Sequence, residues 1–281
     1  MVYIEDEQLT KWLKEDIGYY DLTTNCCEIN EKKASIEITS RDECVICGSE
    51  EIKRMAKMLD IDTLSYIPSK TKVMPNTSIF LAKGEAKNIH KLWKVAINLL
   101  SFASSISTKT KTLVNLAQSI NPNIHVGSTR KSIPGTRALS TKAVLCGDGA
   151  IHRATLSETF LMFDEHKKFF NSHEDIIEKL KSLKYVLVEK KILIEVKEFR
   201  EAVIFAPYVD ILQLDKVSFE DIKKIKEYID KNNLSCKIVA AGGINEKNIQ
   251  DYVKTGVDFI VTSSMFWTDK PIDFEVKIEA L

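Results

Sequence analysis

From about residue 122 onward the chain repeats one pattern: short apolar runs, each closed by polar or glycine residues, alternate with amphipathic stretches of helical spacing. The runs are 124–127 (IHVG), 185–188 (YVLV), 192–196 (ILIEV), 211–214 (ILQL), 236–240 (CKIVA) and 258–262 (DFIVT). The helical stretches include 174–183, 198–205, 219–231 and 245–255, the last with Asn245 as its N-cap and Asn248 three positions on. Repeated strand–helix alternation commits a chain to a parallel sheet with right-handed crossovers. Six or more such units without a Gly-rich dinucleotide fingerprint favour a β/α barrel over an open nucleotide-binding sheet.

The part upstream has a different texture. Residues 5–16 read as a short amphipathic helix, 34–39 (ASIEIT) as a half-buried strand and 49–59 as a helix. Residues 63–81 are strand-like with breaks at Pro68 and Pro75, and 86–118 form a long helical stretch that reads as two helices. This mixture predicts an α+β cap. The tail, 271–281, alternates again and is expected to return as a strand to the first domain.

Lys+Arg and Asp+Glu both count 40, so the net charge is zero. That argues against nucleic acid or an anionic membrane as a bulk partner, and any anion site has to come from a local cluster. The first residues, MVYIEDEQLTKWL, carry neither a basic nor an apolar leader segment, and no apolar run approaches the roughly 20 residues of a bilayer span. The sequence therefore reads as cytoplasmic, with its six cysteines reduced. Cys44-Val-Ile-Cys47 fits half of a zinc site, but Cys26 and Cys27 do not supply the second half. Core cysteines are the simpler reading.

In a β/α barrel the chemistry sits where strands end. Arg130-Lys131 follows the first barrel strand and His152-Arg153 comes soon after, so these four form a candidate anion pocket. The bland alternatives are solvated cations and a structural histidine. Glu195 and Asp215 lie at or near the ends of later strands and could flank a Mg²⁺ carried in by a phosphorylated substrate, unless Asp215 and Lys216 only make rim salt bridges. Gly242-Gly243 and Ser263-Ser264 follow the last two strands, where barrels commonly hold a phosphate; a simple tight turn is the alternative. His166, in FDEHKKFF, leans towards a site role.

Ordered along the chain, Asp21-Leu22-Thr23-Thr24, Thr129-Arg130-Lys131-x-x-Pro134-Gly135, His152-Arg153, Glu195-Val196, Leu214-Asp215, Gly242-Gly243-Ile244 and Thr255-Gly256-Val257-Asp258-Phe259-Ile260 resemble the quinolinate phosphoribosyltransferase (nicotinate-nucleotide pyrophosphorylase) family over nearly the whole length. Leu92-Trp93-Lys94-Val95, Leu156-Ser157-Glu158-Thr159, Glu165-His166, Gln213-Leu214-Asp215-Lys216 and Val261-Thr262-Ser263-Ser264 are closer to a sister branch, the ModD proteins associated with molybdenum transport.

The resemblance implies an N-terminal α/β sandwich domain over 1–108, completed by 271–281, and an incomplete, seven-stranded β/α barrel over 109–270. It implies a homodimer with shared active sites, and transfer of phosphoribose from PRPP (phosphoribosyl pyrophosphate) to a ring nitrogen, with Mg²⁺ accompanying PRPP. By matching motif, Glu195 and Asp215 would hold Mg²⁺ or the ribose, and Gly242, Gly243, Ser263 and Ser264 the 5′-phosphate. Arg130, Lys131, His152 and Arg153 would face the acceptor's acidic groups and the pyrophosphate; Glu195, Asp215 and Lys131 are the catalytic candidates. Two positions depart from the quinolinate pattern. Phe163 stands where a substrate-contacting lysine is usual, and Lys94 where a neighbour-supplied arginine is usual. The implied acceptor is a less acidic nitrogen heterocycle. An ordinary quinolinate enzyme of NAD synthesis and a non-catalytic accessory protein of molybdate uptake are the alternatives.

Overall fold

The computed structural model describes residues 2–281 and divides into two compact units. The first comprises residues up to Lys111 with Ile133–Asp148 and Phe266–Leu281; the second comprises Thr112–Ser132 and Gly149–Met265. Segment 133–148 thus groups with the N-terminal part rather than with the barrel range expected from sequence.

The first unit is built on a four-stranded antiparallel sheet in the order Phe274–Ala280, Lys33–Ser40, Thr77–Glu85, Asp62–Tyr66. The C-terminal strand therefore returns to the N-terminal sheet. Along Lys33–Ser40 every second residue is buried, including Ile36 and Ile38, which gives the sheet one core face. The helix Ser49–Met58 buries Ile52 and Met55, and the strand-like stretch 63–81 is interrupted as its prolines require.

Residues 86–118 form one continuous helix, Ala86–Gln118, and not two. Its serine- and threonine-rich middle stays helical because the hydroxyls have partners. Ser105 Oγ donates to the Ser101 carbonyl at 2.6 Å, Thr110 Oγ1 to that of Ile106 at 2.7 Å, and Ser107 Oγ to that of Val45 at 2.5 Å.

In the second unit seven strands form one parallel sheet. They are β1 (His125–Ser128), β2 (Ala150–Ile151), β3 (Phe160–Met162), β4 (Ile192–Val196), β5 (Ile211–Asp215), β6 (Lys237–Ala241) and β7 (Phe259–Thr262). Their order is β2-β1-β7-β6-β5-β4-β3. Strands β2 and β3 are the two edges, so the barrel is left open between them. The middle strands are buried on both faces, β4 at all five positions. Crossover helices His173–Val186 and Phe219–Lys231 start on Ser172 and Ser218, whose hydroxyls accept from the N–H groups of Asp175 and Asp221.

Two expectations fail here. Run 185–188 is not a strand: it is the end of helix His173–Val186 and the turn after it, with the Leu187 N–H bonded to the Leu183 carbonyl. Tyr185, Val186 and Val188 are exposed, so their β-favouring side chains have no sheet to join. The last barrel helix is Ile249–Lys254, shorter than 245–255, with Asn248 as its N-cap residue. Asn245 instead donates its N–H to Asn248 Oδ1 at 2.8 Å, within the loop that follows β6.

Candidate active site

All seven strands end on the same side, and the residues following them line one cavity of about 370 Å³. β1 delivers Thr129, Arg130 and Lys131, β2 delivers His152 and Arg153, and β3 delivers Phe163. Glu195 projects from β4, Gln213 and Asp215 from β5, Gly242 and Gly243 follow β6, and Ser263 and Ser264 follow β7. The candidates drawn from sequence therefore converge, with two exceptions. Lys94 lies in the first unit, exposed, with its ammonium 3.9 Å from the Trp93 ring centroid. His166 does not line the cavity; its ring stacks on Phe163 at 5.9 Å and its Nδ1 accepts the Phe163 N–H at 3.0 Å. It acts on Phe163.

One side of the cavity is cationic. Arg153 is buried, donates to the Thr159 carbonyl at 3.4 Å and stands 5.6 Å over the Phe163 ring. Burial, and then the neighbouring Arg130, lower its pKa from the ordinary guanidinium value. His152 differs from the cation expected of it. Burial pushes its pKa down, the Gln213 contact opposes this, and Arg153 pushes it down further, so the neutral ring is favoured.

The lining residues from β4 and β5 include two carboxylates, Glu195 and Asp215. Glu195 is buried at 8% exposure, and burial followed by the charge of Asp215 raises its carboxyl above the usual range. Asp215 makes no ion pair among the described residues, so the salt bridge with Lys216 is absent. Lys216 instead uses its N–H, donating to the Ala241 carbonyl at 3.0 Å, which ties the end of β5 to the start of the glycine loop.

That loop needs glycine. Gly242 and Gly243 have φ of 88° and 74°, and a Cβ on Gly242 would lie 2.4 Å from Asp215 Oδ1. The side-chain amides of Asn245 and Asn248 both donate to the Gly243 carbonyl at 3.1 Å. Beside it, Thr262 Oγ1 donates to the Ile244 carbonyl at 2.5 Å and accepts the Ser264 N–H at 3.0 Å, bracing the serine loop.

Sequence reading passed over Gln213 as a site residue, although it is buried and lines the cavity. Its amide nitrogen donates to Glu195 Oε2 at 3.0 Å, and its oxygen lies 3.1 Å from His152 Nε2. The cysteines take no part: all six are free thiols, with Cys44 and Cys47 buried in the first unit. Among the described residues no three His, Cys, Asp or Glu side chains cluster as a metal site.

A cavity with a cationic side, a carboxylate side and two braced loops at strand ends suits a small, multiply charged, phosphorylated molecule. Residues 106–277 match the family described as quinolinate phosphoribosyl transferase, C-terminal domain, and residues 21–104 match its N-terminal domain. The chain is 33% identical to a Pasteurella multocida protein named ModD, over 99% of each. It is 32% identical to a Methanocaldococcus jannaschii protein named as a carboxylating nicotinate-nucleotide pyrophosphorylase, over 96% of this chain and 95% of that one. The solved structure of nicotinate-nucleotide pyrophosphorylase from Ehrlichia chaffeensis superposes with a TM-score of 0.88 at 25% identity, covering 99% of this chain and 100% of that one. The chain belongs to the quinolinate phosphoribosyl transferase family and is a pentosyltransferase of the nicotinate-nucleotide pyrophosphorylase type. No helix among the described residues is long and apolar enough to cross a membrane.

Proposed function

We propose that this enzyme transfers the 5-phosphoribosyl group of PRPP to a ring nitrogen of an aromatic heterocycle less acidic than quinolinate, in the molybdenum-linked branch of the family. The observation that carries the reading is Phe163 on the cavity wall beside Arg153, an apolar ring where recognition of a second carboxylate would call for another cation. In the reaction the bond from ribose C1 to the pyrophosphate oxygen breaks, the ring nitrogen bonds to C1, and pyrophosphate leaves.

Such a step needs positioning and charge stabilisation rather than covalent help. The glycine and serine loops would hold the 5′-phosphate through Gly242, Gly243, Ser263 and Ser264. Arg130, Lys131 and Arg153 would face the pyrophosphate and the acceptor's acidic group, with Lys131 beside the leaving oxygen. Glu195 and Asp215 are hard oxygen donors whose mutual repulsion a divalent cation would relieve, the kind of pair that holds Mg²⁺ together with substrate phosphates. Bound there, Mg²⁺ would neutralise charge on the departing pyrophosphate. Lys94 would reach the site of a second copy in a homodimer, and the enzyme would work in the cytoplasm.

Pyrophosphate release from PRPP, measured with a panel of nitrogen heterocycles, tests the reading. It should appear with a monoacidic or neutral acceptor and be lost in Glu195→Ala and Asp215→Ala. Efficient conversion of quinolinate to nicotinate mononucleotide, with release of pyrophosphate and CO₂, would overturn the altered acceptor. It would favour the second reading, quinolinate phosphoribosyl transfer in NAD synthesis, which the similarity to the M. jannaschii protein supports.

A further inference from the structure

Gln213 is 5% exposed and is hydrogen-bonded at both ends of its amide. A primary amide has fixed polarity: its nitrogen only donates and its oxygen only accepts. The Glu195 carboxylate accepts, so the nitrogen end must face it. The oxygen end then faces His152 Nε2, and that ring nitrogen must carry the hydrogen. In the neutral ring Nδ1 is left with its lone pair, the one ring nitrogen still open to a ligand in the cavity that His152 lines.

We propose that Gln213 is a positioning residue that sets acceptor specificity by holding His152 in the Nε2–H form. The heterocycle must then bring an N–H or O–H donor to His152 Nδ1 and leave its acidic group to Arg153 and Arg130. A second carboxylate at that point meets a lone pair instead of a cation and is rejected. This deepens the phosphoribosyl-transfer reading and rests on it. The β4–β5 register places Gln213 level with Glu195, Glu195 orients the amide, and the amide selects the tautomer.

Two measurements test it. The full-length protein, labelled with ¹⁵N-histidine and free of ligand, should show at neutral pH a pyrrole-type Nε2 and a pyridine-type Nδ1 for His152, assigned by comparison with His152→Gln. The opposite tautomer or an imidazolium would overturn the proposal. Nicotinate, 2-aminonicotinate and quinolinate differ only in carrying hydrogen, a donor or a carboxylate at one ring position. Calorimetry should place 2-aminonicotinate about tenfold or more ahead of quinolinate. In Gln213→Leu the His152 tautomers should mix and that preference should shrink; an unchanged spectrum and preference would remove Gln213 from the role. PRPP titrated into the wild-type protein is read separately. Failure to bind PRPP would defeat the transferase reading, while the histidine spectrum would still decide the tautomer.

Discussion

Glu195 and Gln213 stand in register on neighbouring parallel strands, and the amide of Gln213 donates to the carboxylate of Glu195 at 3.0 Å. The pairing holds a carboxylate in place that its surroundings would rather see protonated, since burial and the charge of Asp215 both raise its pKa. Such a group costs stability and supplies negative charge where the substrate's developing cation and any divalent ion would sit.

Glu195→Gln should inactivate the enzyme and stabilise it. The amide can still accept from Gln213, but the charge is gone, and kcat for pyrophosphate release should fall on the order of 10²–10³-fold, as for other lost electrostatic contacts. A carboxyl raised in the folded state favours folding while protonated, and that contribution is lost as pH rises through its folded pKa. The variant should therefore melt a few degrees above wild type at neutral pH and level with it in acid, by scanning calorimetry. Equal melting at every pH would mean that Glu195 is not under strain.

Lys142→Met should destabilise the first unit strongly. Lys142 is 1% exposed, and its ammonium lies 2.8 Å from Glu50 Oε2 and 2.6 Å from Glu51 Oε2. Burial pushes Glu50 up, but the Lys142 and Ser69 contacts outweigh it and hold the carboxyl below its ordinary value. Removing the cation strands two carboxylates, at a cost of about 3–5 kcal/mol in urea unfolding. Adding Glu51→Gln should recover part of it. In the wild type, a carboxyl lowered on folding contributes stability above its unfolded pKa that is lost as pH falls, so acid should weaken wild type more than the double variant.

The strands that build the site were legible where burial is two-sided. Runs 192–196 and 211–214 are apolar enough to stand out, and they correspond to β4 and β5. β2 and β3 have two and three residues, too few to show any period, so His152-Arg153 stands out in the sequence only as a basic pair soon after Arg130-Lys131, and Phe163 only by motif. Run 185–188 shows the reverse error, a β-favouring composition spent on an exposed helix end. Charged candidates such as Arg153 and Glu195 were visible because charge is rare in a core. Gln213 was not, since an uncharged residue inside an apolar run gains meaning only when the sheet sets it beside Glu195, 18 residues away in sequence.

Gly242→Ala and Gly243→Ala should part company. Both residues have positive φ, so either change costs on the order of 1–2 kcal/mol in backbone strain. At Gly243 a methyl group meets open space, whereas at Gly242 it would press on Asp215 Oδ1 and stand 2.9 Å from the Lys216 nitrogen. Both changes should therefore raise KM for PRPP and lower Tm, but only Gly242→Ala should also lower kcat, by moving Asp215. Similar kinetics in the two would show that Asp215 tolerates displacement.

Phe163→Lys should move the acceptor preference towards quinolinate. The ring now stands 5.6 Å from the Arg153 guanidinium, offering it an aromatic face and the ligand an apolar wall. A lysine there supplies a cation for a second carboxylate, a charged contact worth roughly 1.5–3 kcal/mol. Part of that gain is lost because the new ammonium repels Arg153 and gives up the ring contact, so quinolinate affinity should rise about tenfold. His166 adds a local cost, since it stacks on Phe163 and would lose that surface. Calorimetric titration of wild type and variant with quinolinate and nicotinate checks the outcome. Tighter quinolinate with nicotinate little changed shows that the Phe163 position, in addition to His152, reads the second acidic group; equal gains for both would show only a stronger positive field across the cavity.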